Sequence, residues 1–171
     1  CRHAHPAIDA ALGLGPVPAD VPVIIETYAD ALAFCDRPDP VSVIEAKFSI
    51  QHSVAIVLAG STPRLEDFES EAIARLAPQR ARVVVRESSA FTSRYPSHYG
   101  ATAHAGDRHC ERIDTFGDPE RPLGEEHLVA KLAELTRWGG LPSGEAERAR
   151  HVALDGNSVA AVTGLLEDWL A

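Results

Sequence analysis

The sequence predicts an α+β protein, a small mixed α/β domain followed by a C-terminal helical segment. Three observations carry this. Short β-branched runs alternate with helical patterns through the first two thirds of the chain. One apolar stretch, SIQHSVAIVLA, is apolar nearly all round, as in a buried helix. Beyond Pro122 only helical patterns remain, so a soft boundary separates a 1–122 α+β domain from C-terminal helices over 123–171.

Pro6 opens the first helix, because its fixed φ suits the first helical position, and leaves His5 to cap it. Gly13, Gly15, Pro16 and Pro18 stop that helix. VPVIIETY, residues 21–28, is a strand by its β-branched content, Ala29 to Phe34 is a short Ala-rich helix, and Asp36 to Pro40 is a turn. Ser49 to Ala59 is the buried helix, ended by Gly60. Leu65 to Leu76 places apolar residues at 65, 68, 72, 73 and 76 among acids, an amphipathic surface helix closed by Pro78. Arg82 to Arg86 is a strand, and Tyr99 to Ala105 pairs with Arg108 to Thr115 across a Gly106-Asp107 turn. GDPERP, residues 117–122, is a rigid loop. Helices follow over 124–138, 143–154 and 158–170.

The 45% hydrophobic content of the 171 residues suits one buried core, and the formal charge of −9 argues against partners such as nucleic acid or an anionic membrane surface. No apolar run approaches the ~18 residues that span a bilayer. Cys1, Cys35 and Cys110 are odd in number, scattered and without CxxC spacing, which fits a reducing, cytoplasmic setting. A chain that begins at Cys1 and contains no Met reads as part of a longer one.

An acidic chain that binds an anion must gather its cations locally, and two helix beginnings do so. In CRHAHPAIDAAL, Arg2, His3 and His5 crowd a helix mouth whose free N–H groups and dipole favour a carboxylate. In AKFSIQHSVA, Ser49 caps the buried helix while Lys47, Gln51 and His52 surround its first turn. His52, near a positive helix end, is expected to be neutral and able to relay a proton near pH 7. The bland alternatives are a capping His5 on a solvated end and a His52 that hydrogen-bonds its neighbours. His98, His104, His109 and Cys110 have no metal-ligand spacing, so no metal is expected. Without GxGxxG, GxSxG or a phosphate-binding loop, neither a nucleotide nor a hydrolase site is implied.

Three stretches, CRHAHPAIDAAL, EAKFSIQHSVAIVLAG and FGDPERPLGEEHLVAKLAEL, with RYPSHYGATAHA between the last two, resemble the MmgE/PrpD family. That family includes 2-methylcitrate dehydratases, cis-aconitate decarboxylases and an iminodisuccinate epimerase. The resemblance implies a cofactor-free, often dimeric lyase or isomerase of small di- and tricarboxylates. It also implies that residues 1–122 form a lid facing a large helical domain, whose N-terminal part precedes Cys1 and whose C-terminal part returns in 123–171. His5 matches a histidine of the family's opening motif, and Lys47 and Ser49 match its KFS. His52 stands where the family usually carries a tyrosine that reaches the active site. The expectation is therefore that His52 transfers the proton while His5, Lys47, Ser49 and Gln51 bind substrate. A non-catalytic, stand-alone binding domain of the same fold, and a small His-rich metal domain, are the competing readings.

Overall fold

The computed structural model describes residues 1–155 and 158–170. They divide into two compact units, Cys1–Arg121 and Pro122–Ala171. Helices and a mixed four-stranded sheet make the α+β class.

The first unit begins with a 3-10 turn, Arg2–Ala4, that runs directly into α1, His5–Leu14. His5 is therefore the first helical residue rather than a cap. Winding already starts with the bond from the Ala4 amide to the Cys1 carbonyl at 3.0 Å, and no side chain caps α1. Gly13 lies inside this helix rather than stopping it. A Cβ there would sit 2.3 Å from Cys110 Sγ, so the glycine permits close approach to the strand below. Gly15, at φ +67°, is what ends α1.

Strand β1 is Val23–Thr27 and is followed by α2, Ala29–Cys35. The next helix, α3 (Val43–Lys47), lies where the sequence predicts no element. Its β-branched VSVI start hides a capping arrangement: Ser42 Oγ accepts from the Glu45 amide at 3.3 Å, and the Glu45 carboxylate accepts from the Val41 amide at 2.8 Å. α4, Ile50–Leu58, is the expected buried helix with Ser49 at its cap.

The helix expected over 65–76 is instead two pieces. A 3-10 turn, Leu65–Phe68, is closed by the Asp67 carboxylate on the Arg64 amide, and extended Glu69 (ψ 161°) separates it from α5, Ser70–Arg75. Pro78 falls in the first turn of α6, Ala77–Arg80, where its missing N–H is harmless, and so begins a helix rather than closing one. β2, Val83–Glu87, is followed by α7, Ser89–Thr92, and by the hairpin β3 (Ala101–Ala105) and β4 (Arg108–Arg112). Gly106 takes φ +58° at the hairpin turn, a conformation open to glycine.

The sheet order is β2-β1-β3-β4. β1 and β2 are parallel, with Val23 opposite Val83, whereas β3 is antiparallel to both β1 and β4. Val23, Ile25, Ala101, Ala103 and Ala105 form the inner face and pack with Ala7, Ala10 and Ala11 of α1 and with Ile50 and Val54 of α4 in one core. Facing alanines let helix and sheet approach closely. A second, smaller cluster joins Ala55 and Ile56 of α4 to Ala72 and Leu76, so α4 is sandwiched between the two.

The second unit contains α8 (Glu125–Trp138), α9 (Glu145–Arg150) with a π-helical turn over His151–Asp155, and α10 (Val159–Leu170). The expected 143–154 helix thus changes pitch at Arg150. No helix among the described residues is long and apolar enough to cross a membrane.

Candidate functional site

Three of the predicted site residues sit in the first turn of α4, and all three are spoken for internally. Ser49, fully buried, donates to the Arg37 carbonyl at 2.6 Å and accepts from the His52 amide at 2.9 Å. Gln51 donates to Asp36 and accepts from the Arg37 amide at 3.2 Å, pinning the turn after α2. These contacts fix where α4 starts.

His52 is 0% exposed. Its Nε2 lies 2.8 Å from the Asp67 carbonyl, which can only accept, so Nε2 carries the hydrogen and Nδ1 is free to accept from Arg80 Nη1 at 3.4 Å. Phe68 packs edge-on against the ring. The imidazole is thereby held neutral, its pKa below the ordinary 6.5, chiefly by burial and with Arg80 adding to it, while the Asp67 carbonyl opposes. Neutrality is the expected state, but burial rather than the helix end is its main cause. Residue 52 also projects about 200° round the helix from Val54, which faces the core shared with α1. The hydrogen-bond partners of the His52 ring and the aromatic ring against it thus all come from residues 67–80.

At the start of α1 the arrangement is more open. His5 is exposed, and Lys47 belongs to the same neighbourhood because the Cys1 backbone nitrogen donates to the Lys47 carbonyl at 3.0 Å. The Lys47 ammonium makes no hydrogen bond or ion pair among the described residues. Arg2 is paired with Asp118 of the GDPERP loop and lies over the Tyr99 ring, 4.7 Å from its centroid. Its other terminal nitrogen, Nη1, is buried with no hydrogen-bond partner. His3 is hydrogen-bonded to Tyr28 at 2.8 Å and stacks on Phe34 at 5.1 Å, with Tyr95 stacked on Tyr28 at 4.6 Å. Burial lowers the His3 pKa, and burial reinforced by Tyr99 and Tyr95 raises that of Tyr28, so both are neutral near pH 7.

Sequence reasoning places Arg2 and His3 at this mouth but misses what surrounds them. Asp118, Tyr28, Tyr95 and Tyr99 arrive there from distant positions, as Asp67 and Arg80 do around His52; only the aromatic spacing of RYPSHYG could have marked Tyr95 and Tyr99. Of the other histidines, His104 and His109 stand opposite each other on β3 and β4, with ring centroids 5.9 Å apart. His98 pairs with Asp114 at 2.6 Å, His104 with Glu26 at 3.2 Å, and Cys110 lies against α1. Among the described residues no group of three or more His, Cys, Asp and Glu could hold a metal ion. A groove of about 380 Å³ opens at the far ends of α1 and α4, lined by Leu12, Val17, Leu58 and Thr62 among others. It lies roughly 14 Å along α1 from His5.

A comparison with curated proteins gives no match. The profile described as MmgE/PrpD C-terminal domain matches residues 1–155, spanning the sheet, both helix beginnings and the GDPERP loop. The chain therefore belongs to the MmgE/PrpD family, a family of dehydratase- and lyase-like enzymes.

Proposed function

We propose that this chain is part of a cofactor-independent lyase or isomerase that moves a proton next to a carboxylate of a small di- or tricarboxylate. Dehydration of a 2-methylcitrate-like acid is the leading reaction, with decarboxylation and epimerisation as the family's other chemistries. The observation that carries this reading is a cationic start of α1 on a chain that is acidic overall: Arg2 with its unpaired Nη1, exposed His5 and, tied to this segment by the Cys1–Lys47 backbone bond, the unpaired Lys47. A partly exposed guanidinium with an unpaired N–H is a ready partner for a carboxylate, which arginine binds through charge-assisted hydrogen bonds.

In this reading Arg2, His5 and Lys47 meet the carboxylates, and residues 1–122 act as the lid for a helical domain built from the rest of the protein and from 123–171. Developing enolate-like charge is stabilised by the Arg2 and Lys47 cations. Ser49 and Gln51 set the start of α4. His52 takes a positioning role, its neutral ring tying α4 to Asp67 and Arg80, unless substrate closure opens that packing and lets it carry the proton.

The test is turnover of 2-methylcitrate, cis-aconitate and related acids by the full-length protein. Arg2→Ala, His5→Ala and Lys47→Ala are each expected to lower kcat/KM by roughly 10- to 100-fold, the worth of a charged hydrogen bond. Unchanged turnover in all three would remove this cluster from the site. His52→Gln separates the two roles for that residue. A glutamine can still donate to Asp67 and accept from Arg80, so near-normal turnover marks positioning, whereas loss of kcat marks proton transfer.

A further inference from the structure

Two of the three cysteines, 34 residues apart in sequence, meet in space. Cys35, the last residue of α2, is fully buried, and its Sγ lies 3.1 Å from Sγ of Cys1, which is partly exposed at the start of the 3-10 turn. A buried free thiol is ordinarily an inert, small apolar group. Here it faces a second sulfur, and about 1 Å of side-chain rotation separates the pair from bonding distance. Cys110 packs against Gly13 of α1, apart from both.

We propose that Cys1 and Cys35 form a reversible redox pair, in which oxidation by a peroxide or by a small-molecule disulfide joins the 3-10 turn to the end of α2. The more accessible Cys1 reacts first. As thiolate it attacks one peroxide oxygen, the O–O bond breaks, and the departing hydroxide takes a proton to leave water and a Cys1 sulfenic acid. The Cys35 thiolate then attacks the Cys1 sulfur and expels the second oxygen as water. Two thiols have lost two electrons and two protons, and the peroxide has been reduced to two waters. With a disulfide as oxidant, exchange at Cys1 gives a mixed disulfide that Cys35 resolves, releasing one reduced thiol per step. Burial raises the Cys35 pKa, which suits a resolving thiol that is idle until a sulfur electrophile sits against it.

The bond would fix local geometry. Arg2 and His3 directly follow Cys1, Phe34 directly precedes Cys35, and His3 already stacks on Phe34. Asp36, the next residue after the pair, is held by Gln51. Cross-linking therefore clamps the Arg2–His3 segment to α2 and, through Gln51, to α4. The chemistry stands whether or not that segment binds substrate.

The experiment is peptide mapping of the full-length protein without reductant, after brief exposure to hydrogen peroxide or oxidised glutathione. The expected result is a cross-linked species joining the peptides that contain Cys1 and Cys35, abolished by dithiothreitol, with Cys110 still alkylatable. In Cys35→Ser, Cys1 should instead be trapped by dimedone as the sulfenic acid, or retain glutathione. The proposal is overturned if Cys1 and Cys35 both remain free thiols, if Cys1 proceeds to the sulfinic acid or keeps glutathione in the wild type, or if either bonds to Cys110 or another cysteine.

Discussion

The two units of this chain are stabilised by different physics. In Cys1–Arg121 a sheet face and two helices close on a core whose members Val23, Ile25, Tyr28, Ile50, Val54 and Ala103 are all 0% exposed. In Pro122–Ala171 the buried residues among those described are only Thr136, Ala149 and Leu165, while Leu128, Leu135, Trp138, Val159, Leu166 and Leu170 are 44% exposed or more. That unit is strapped by polar contacts instead, including Arg148 to Asp168, Arg150 to Glu125 at 3.4 Å, and the Trp169 indole to Glu145 at 2.6 Å. Exposed ion pairs are each worth little, so they do not replace a core. The difference teaches that the first unit has its hydrophobic partner within itself, whereas the second presents apolar helix faces of the kind a larger helical domain would cover.

The sharpest way to break this contrast is core truncation. Ile25→Ala should cost about 2–5 kcal/mol, because it empties a sealed site, while Leu166→Ala in the same chain should change stability by less than about 0.5 kcal/mol. Chemical denaturation of both variants measures the difference. Equal effects would mean that the helical unit is packed as tightly as the first.

A smaller effect comes from one substitution made in each unit. Gly100→Ala would push a Cβ to within 2.5 Å of the buried Phe91 ring and 2.9 Å of the Arg112 carbonyl, and should destabilise by about 1–3 kcal/mol. Gly164→Ala meets nothing within 4 Å in the interior of α10. It should stabilise that helix by about 0.5–1 kcal/mol. The same change of residue is thus expected to have opposite signs, which thermal unfolding reads directly.

The smallest effect is electrostatic. His52 titrates below its ordinary 6.5 in the folded chain, so the unfolded chain takes up the proton first. Stability from this residue is therefore fully present above pH 6.5 and is lost as the pH falls from there towards the folded-state pKa. His3, also lowered by burial, acts in the same direction. Comparing denaturation midpoints of the wild type and His52→Gln between about pH 7.5 and 5.5 should show a flatter acid limb in the variant. A limb of unchanged steepness would place the proton-linked term elsewhere.

What was legible in the sequence is what local chemistry encodes. Alternating β-branched residues mark β1 and β2, Gly106 marks the hairpin, and Ser49 before an all-round apolar run marks α4. The misreadings arise where a local signal competes with a neighbour. His5 looks like a cap until the preceding 3-10 turn is seen to start the winding, and 65–76 looks like one helix until Asp67 closes its first turn. Pro78 has the same chemistry at a helix start as after a helix end, and the VSVI run conceals the cap of α3. The site was legible in composition but not in arrangement. Arg2 and Asp118 are 116 positions apart, and the partners that enclose His52 come from a segment whose local reading was wrong.

The account rests on the α1 mouth, with Arg2, His5 and nearby Lys47, as the place where an acid docks. Hydrogen–deuterium exchange of the full-length protein, with and without saturating amounts of whichever polycarboxylate it turns over, tests this most directly. Slowed exchange should appear in the amides of residues 2–8 and of the α3–α4 junction around Lys47. Protection confined to the groove at Leu58 to Thr62, with the α1 mouth unchanged under proven saturation, would contradict it.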